Sequence, residues 1–353
     1  MKTKYCAPGH DQGFTCFSLE QLQDFSQKLS QNDNMARQTL GSNWKNLSHK
    51  ELYDKIAKIV KERYGDLPET EWLKLPFVRA GADQELVHET FRPSMPHDWK
   101  DDPKTWLTTD DIAKVMHQYS QKYPDFIFFG PVASDCPEEY PCELSGFSCE
   151  KMLKSGIKKI GIIFNLDKHN QSGSHWVAVW ISIPEKVIEY YDSYAVKPPR
   201  LIMAFMKRVK DQAEKNGMPM EIISNDIRHQ YGGSECGVFS MYYIIQRLHG
   251  KSREETLTQK PTDTLMNQLR LYFYRPQSDL IGSAQKVVDE IPIKDFPNRP
   301  QLPSHIKIGG AKTKPAKTKS AKPAKPAKPK PAKPKSAKTA KPKTAKPKTA
   351  KSL

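Results

Sequence analysis

A chain of 353 residues with 37% apolar side chains is long enough to bury a sizeable core, which excludes a wholly disordered protein, and its six cysteines are too few for a small disulfide scaffold. The formal net charge is +16. Residues 311–353 alone hold 16 Lys and no Arg, Asp or Glu, so residues 1–310 are close to neutral and the basic balance describes a tail, not a basic face on the fold.

The first residues, Met1 to Cys6, lack the apolar stretch of a signal peptide, and no apolar run downstream is long enough to span a bilayer. These features predict an intracellular, unsecreted protein without a membrane partner, whose cysteines are free thiols. Residues 1–100 read as a helical N-terminal region, with apolar residues recurring at three and four over Ser18 to Gln31 and His49 to Tyr64. Thr108, followed three residues on by Asp111, caps a helix running to about Lys122. Asp125 to Gly130 then reads as a buried strand, followed by a loop rich in Pro, Cys, Glu and Ser that runs to about Glu150.

The densest signals follow. Ile160 to Asn165, His175 to Ile183, Val187 to Asp192 and Glu221 to Ser224 read as strands, Pro199 to Asn216 as a helix, and the stretch after Gly237 as a helix buried on most sides. This mixed order predicts an α+β domain over residues 101–285. A helix around Thr264 to Tyr274 precedes an extended linker over 286–310. The tail, 311–353, repeats Lys, Pro and Ala without an aromatic residue and is expected to be disordered.

Antiparallel pairing about Pro184-Glu185 sets Asp192 opposite Val177 and makes His175 its diagonal neighbour, within side-chain reach. A carboxylate there holds an imidazole in one tautomer and stabilises its charged form. Cys236 lies at the first turn of the buried helix, where unpaired amides and the helix dipole favour a thiolate. Gln230, six residues upstream, can aim its amide at an oxyanion, and Gly232 and Gly233 let the chain bend closely around a carbonyl. Taken singly, a His at a strand start, an Asp after a strand or a Cys in an apolar helix is usually structural; jointly they describe a cysteine nucleophile with its base. Cys136, Cys142 and Cys149 are separated by six and seven residues, without the short paired loops of a zinc site. No metal or cofactor is expected.

His175-Trp176, then Tyr191-Asp192-Ser193, then Gln230 and Glu235-Cys236-Gly237 resemble in order and spacing the ubiquitin-like-protein (SUMO) proteases and the adenovirus-type proteases. Thr15-Cys16-Phe17-Ser18, Phe129-Gly130-Pro131-Val132 and Asn165-Leu166-Asp167-Lys168 extend that resemblance toward the thiol proteases of large cytoplasmic DNA viruses. The resemblance implies a papain-like or adenain-like core, a mixed sheet flanked by helices, with His175, Asp192, Cys236 and Gln230 catalytic. It also implies Trp106, Trp176 and Gly233 at a narrow cleft that admits only small residues. The implied activity is cleavage of viral precursor polyproteins after Gly-Gly during virion maturation, in the host cytoplasm and within the virion. Glu235 stands where many members have Asp, and Cys136 interrupts a segment that is usually aromatic.

Three alternatives stay open on the residues: a SUMO deconjugase, an acetyltransferase of the bacterial effector type, which shares this catalytic order, and a non-enzymatic virion protein. Protein substrates are the expected partners. The tail is expected to bind nucleic acid without sequence preference.

Overall fold

In a computed structural model of the chain, residues 5–276 are described, apart from 80–83 and 137. The predicted linker and basic tail lie outside the described residues.

The N-terminal helices are α1 (Leu19–Asn32), α2 (Asn34–Leu40), α3 (His49–Tyr64), α4 (Glu69–Trp72), α5 (Pro76–Arg79) and α6 (Gln84–Glu89). Ser18 and Ser48 cap α1 and α3 through reciprocal hydrogen bonds with Gln21 and Glu51. The apolar stripes of these helices close around Phe17, whose ring packs edge-on against Phe25 and Phe91 and stacks on Trp72. The short helices α2, α4, α5 and α6 were not legible, because pieces of four to seven residues carry too few turns for a periodic signal.

A capping box between Thr108 and Asp111 opens α7 (Thr109–Lys122) as the sequence predicts. Then come β1 (Phe126–Ala133), α8 (Cys149–Lys154), β2 (Lys159–Asn165), β3 (Trp176–Ser182), β4 (Val187–Tyr191), α9 (Arg200–Lys215), β5 (Glu221–Ser224), α10 (Cys236–Leu248), α11 (Arg253–Thr258) and α12 (Asp263–Phe273). The five strands lie in sequence order, with β1 parallel to β2, the three central strands antiparallel, and β5 parallel to β4. β1 runs three residues past the expected Gly130, through Pro131. Proline is tolerated there because β1 is an edge strand and its pairing is interrupted between Phe129 and Val132.

The sheet is covered on both sides, so β3 is buried throughout. Alternate residues sort by face. Ala178, Trp180 and Tyr191 join α7, α10 and α12 in one core, while Val177, Val179, Ile188 and Tyr190 join α9 in another. Gly161 lets α10 approach β2, since a Cβ there would meet Ile244 and Phe126 at 3.0 Å. At the far end of the same contact Glu189 of β4, fully buried, is paired with Arg247 of α10 at 3.0 Å and accepts the Tyr243 hydroxyl proton at 2.7 Å.

The expectation of free thiols is corrected at four positions. Cys6 is bonded to Cys16 and Cys136 to Cys142, while Cys149 and Cys236 are free. In both pairs a loop of six to ten residues folds back, bringing the Cα atoms to 5.0 and 5.8 Å, within disulfide range. Spacing alone does not show such a return. Among the described residues no helix is long and apolar enough to cross a membrane, and no three His, Cys, Asp or Glu side chains gather as a metal ligand set.

Candidate active site

The register Ala178 to Tyr191 and Val179 to Tyr190 continues to place Val177 opposite Asp192. That was the pairing expected from the turn. His175, just before β3, donates from Nε2 to Asp192 Oδ1 at 2.8 Å. Asp192 is 1% exposed, and the same oxygen accepts the Tyr194 amide at 2.8 Å. Its backbone is held by Asn225, which accepts the Asp192 N–H and donates to the Asp192 carbonyl at 2.9 and 2.7 Å. The carboxylate is therefore fixed by β5 as well as by its own strand.

Nε2 is committed to Asp192, and Cys236 is the second hydrogen-bond partner of the imidazole. Burial works against a charged imidazole here, but the hydrogen bonds and charges of Asp192 and Cys236 outweigh it and raise the His175 pKa to about 9. The ring is also covered by Tyr194, stacked at 4.8 Å. An imidazolium can thus persist at neutral pH beside a thiol at the first residue of α10, where no side chain caps the helix and its amides remain available.

Gln230 is wholly buried. Its Oε1 accepts the Ser193 hydroxyl proton at 2.6 Å and its Nε2 donates to the Gly232 carbonyl at 3.1 Å. The two backbone amides of His229 and Gln230 both donate to the Ser193 carbonyl at 2.9 Å, so residue 193 fixes residue 230 through main chain and side chain together. An amide nitrogen carries two protons, and the one not spent on Gly232 is suited to a nearby oxyanion.

The turn before the thiol is fixed from outside. Asp263, first residue of α12, accepts the amides of Tyr231 and Gly232 at 3.0 and 2.8 Å. Glu235 accepts from Ser234 and from Asn267. Burial disfavours its charge, but the Asn267 and Ser234 hydrogen bonds outweigh that and hold its pKa below the ordinary carboxylate value. Of the two glycines, Gly232 is the one a side chain would crowd, because a Cβ would lie 2.5 Å from a Glu235 oxygen, and that carboxylate is held by Ser234 and Asn267. Around Gly233 there is open space.

Trp106 and Trp176 play different parts. Trp176 is 6% exposed, and its indole N–H donates to the Leu107 carbonyl at 3.0 Å. Trp106, on the segment thus held, is 41% exposed. Leu107 in turn packs on Gly237, where a Cβ would meet it at 3.2 Å. The three tryptophan and glycine positions therefore shape a wall beside the thiol.

Of the four residues expected to carry chemistry, His175 meets Asp192 and Cys236, while the Gln230 side chain meets Ser193 and Gly232. Sequence reasoning missed Ser193, Tyr194, Asn225, Asp263 and Arg270, which hold them. A usable signal existed for Arg270 alone: it interrupts the apolar stripe Met266, Leu269, Phe273 of α12 at a core-facing position.

An imidazole oriented by a buried carboxylate and meeting a thiol at a helix start is the equipment of a cysteine peptidase, and comparison with known proteins gives the same class. The chain belongs to the Ulp1 protease family, whose C-terminal catalytic domain matches residues 155–282. It is 31% identical over 185 residues to the SUMO-1 cysteine protease of African swine fever virus, covering 48% of this chain and 67% of the relative. It is 27% identical over 285 residues to a thiol protease of Acanthamoeba polyphaga mimivirus, covering 74% of this chain and 90% of the relative. The crystal structure of the African swine fever virus protease superimposes with a TM-score of 0.53 at 24% identity, over 65% of this chain and 91% of that one. That likeness shows that the mixed sheet with flanking helices is a known fold. The protein is a thiol protease of this family.

Proposed function

We propose that this protease is an endopeptidase that cuts viral precursor polyproteins after Gly-Gly, with Cys236 as nucleophile, His175 as its acid and base, Asp192 as the orienting carboxylate and Gln230 as an oxyanion donor. The observation that carries the reading is the continuous chain Asp192, His175, Cys236, with the imidazole pKa raised to about 9. The Cys236 thiolate attacks the scissile carbonyl carbon. The resulting oxyanion takes hydrogen bonds from the Cys236 amide and Gln230 Nε2, and His175 passes its proton to the departing amine as the peptide bond breaks. Water then loses a proton to His175 and attacks the thioester, releasing the acid product and the thiolate.

Preference for glycine before the cut rests on the wall. Trp176 and Gly237 fix Leu107 close to the thiol, and the open space at Gly233 leaves room for substrate backbone. Trp106 supplies an exposed aromatic surface to substrate residues further upstream. The resemblance to thiol proteases of large DNA viruses favours a polyprotein substrate over other proteins, with the infected cytoplasm and the virion as the proposed location.

Similarity to the SUMO-1 cysteine protease of African swine fever virus supports a second reading in which a ubiquitin-like modifier ending in Gly-Gly is the substrate. A panel of Gly-Gly-X peptides and full-length SUMO fusions, digested by wild type and Cys236→Ala, separates the two. Peptide cleavage lost in the variant with SUMO fusions left intact supports polyprotein processing. Efficient release of SUMO makes the enzyme a deconjugase, and cleavage retained by Cys236→Ala sinks the assignment of the nucleophile. The 16 lysines of residues 311–353 fit a polyanion such as packaged nucleic acid, which would hold enzyme and substrate together.

A further inference from the structure

Arg270 has no part in the chemistry described so far, yet its side chain is 2% exposed and lies in the apolar core between α12 and the cleft. Burying a guanidinium is costly unless its protons are taken up. Here one end of the fork, Nη1, donates to the Thr105 carbonyl at 2.7 Å, and the other, Nη2, donates to the Ser234 carbonyl at 2.9 Å. The plane of the group rests over Trp99 at 5.0 Å. Its two acceptors are 129 residues apart in sequence, one in the wall segment and the other in the turn that carries the nucleophile. Thr105 immediately precedes Trp106 and Leu107 of the wall, and Ser234 is two residues before Cys236.

We infer that Arg270 is a positioning residue that ties the wall segment 105–107 to the nucleophile turn 234–236, so that substrate contacts and the thiol are held at one fixed separation. The inference rests on Cys236 being the nucleophile. The other attachments of the wall, Trp176 to the Leu107 carbonyl and Leu107 to Gly237, reach β3 and α10; Arg270 reaches the turn that precedes the thiol. A planar fork with donors at both ends is suited to two carbonyls on different segments, whereas a lysine ammonium on the same stem cannot span them.

Arg270→Lys and Arg270→Met in the full-length chain test this, with hydrogen exchange read on peptides covering 103–108, 231–238 and strands β2 and β3. Turnover of a fluorogenic Gly-Gly peptide amide and the rate of Cys236 alkylation by iodoacetamide, a reagent too small to need the wall, are measured alongside. Arg270→Lys is expected to lose protection in 103–108 and 231–238 together while β2 and β3 keep theirs. Alkylation should stay within about twofold of wild type, and kcat/KM should fall roughly tenfold to a hundredfold, the scale of a small misplacement of reacting groups. Arg270→Lys keeps the charge and stem, so it decides the matter if Arg270→Met does not fold. Unchanged protection in both segments, loss spread over the sheet as well, or alkylation falling in step with turnover would overturn the inference. Cleavage surviving in Cys236→Ala would instead overturn the assignment on which it rests.

Discussion

The Ser193 hydroxyl donates to Gln230 Oε1 at 2.6 Å, and together with the Gly232 carbonyl, which can only accept from Gln230 Nε2, it fixes which end of the Gln230 amide can face a substrate. A buried primary amide is nearly symmetric in shape, and only its partners distinguish oxygen from nitrogen. Ser193→Ala is expected to lower kcat roughly tenfold with little change in KM, and Gln230→Ala roughly a hundredfold or more, the usual cost of an oxyanion donor. Ser193→Ala added to Gln230→Ala should cost nothing further. Steady-state kinetics of the double-mutant cycle measures that coupling.

The raised His175 pKa sets the alkaline side of the pH profile. Imidazolium is the form that donates to the leaving amine, so activity should decline as pH climbs through about 9. Cys236→Ala removes part of the cause, and the imidazole resonance, followed by NMR, should then titrate at lower pH than in wild type.

Stability follows the same sign. An imidazole raised from 6.5 to about 9 by folding contributes a stabilisation that is complete below 6.5 and disappears as pH passes 9. Asp192→Asn weakens one of its causes. The gap in Tm between wild type and Asp192→Asn should be wide at pH 6 and narrow by pH 10; a constant gap would show that the pair does not act through the His175 proton.

Glu189 and Arg247 form a buried ion pair with a further Glu185 contact to the guanidinium. Arg247→Met leaves Glu189 without its cation and should cost about 3–5 kcal/mol in urea unfolding. Glu189→Leu with Arg247→Met should recover most of that, because no uncompensated charge then remains.

The glycines of the nucleophile turn should separate by mechanism. Gly232→Ala drives a methyl against the Glu235 carboxylate and should lower both Tm and turnover. Gly233→Ala meets nothing in the folded chain, so Tm should hold while KM for Gly-Gly peptides rises.

The long helices and the antiparallel hairpin were legible because their periods are strong: His49–Tyr64 agrees at both ends, and the pairing of Asp192 with the His175 strand follows from one turn. The catalytic set was legible because its chemistry demands particular residue types. What holds that set was not. Asn225, Asp263 and Ser193 are ordinary polar residues whose partners lie 31 to 37 positions away, and nothing local distinguishes them from loop residues. The disulfides were missed for the same reason, since pairing depends on where a loop returns.

The hairpin that carries His175 and Asp192 is joined by only four residues, 183–186, between strands in strict register. Apart from Glu185, which meets Arg247, and Lys186, whose φ is +56°, the identities in that turn are open to change, but its length is not. One inserted or deleted residue would turn Asp192 toward the opposite side of the sheet and leave the imidazole without its carboxylate, in a protein still able to fold. The spacing of the two strands is therefore a stricter requirement on the gene than the residues that fill it.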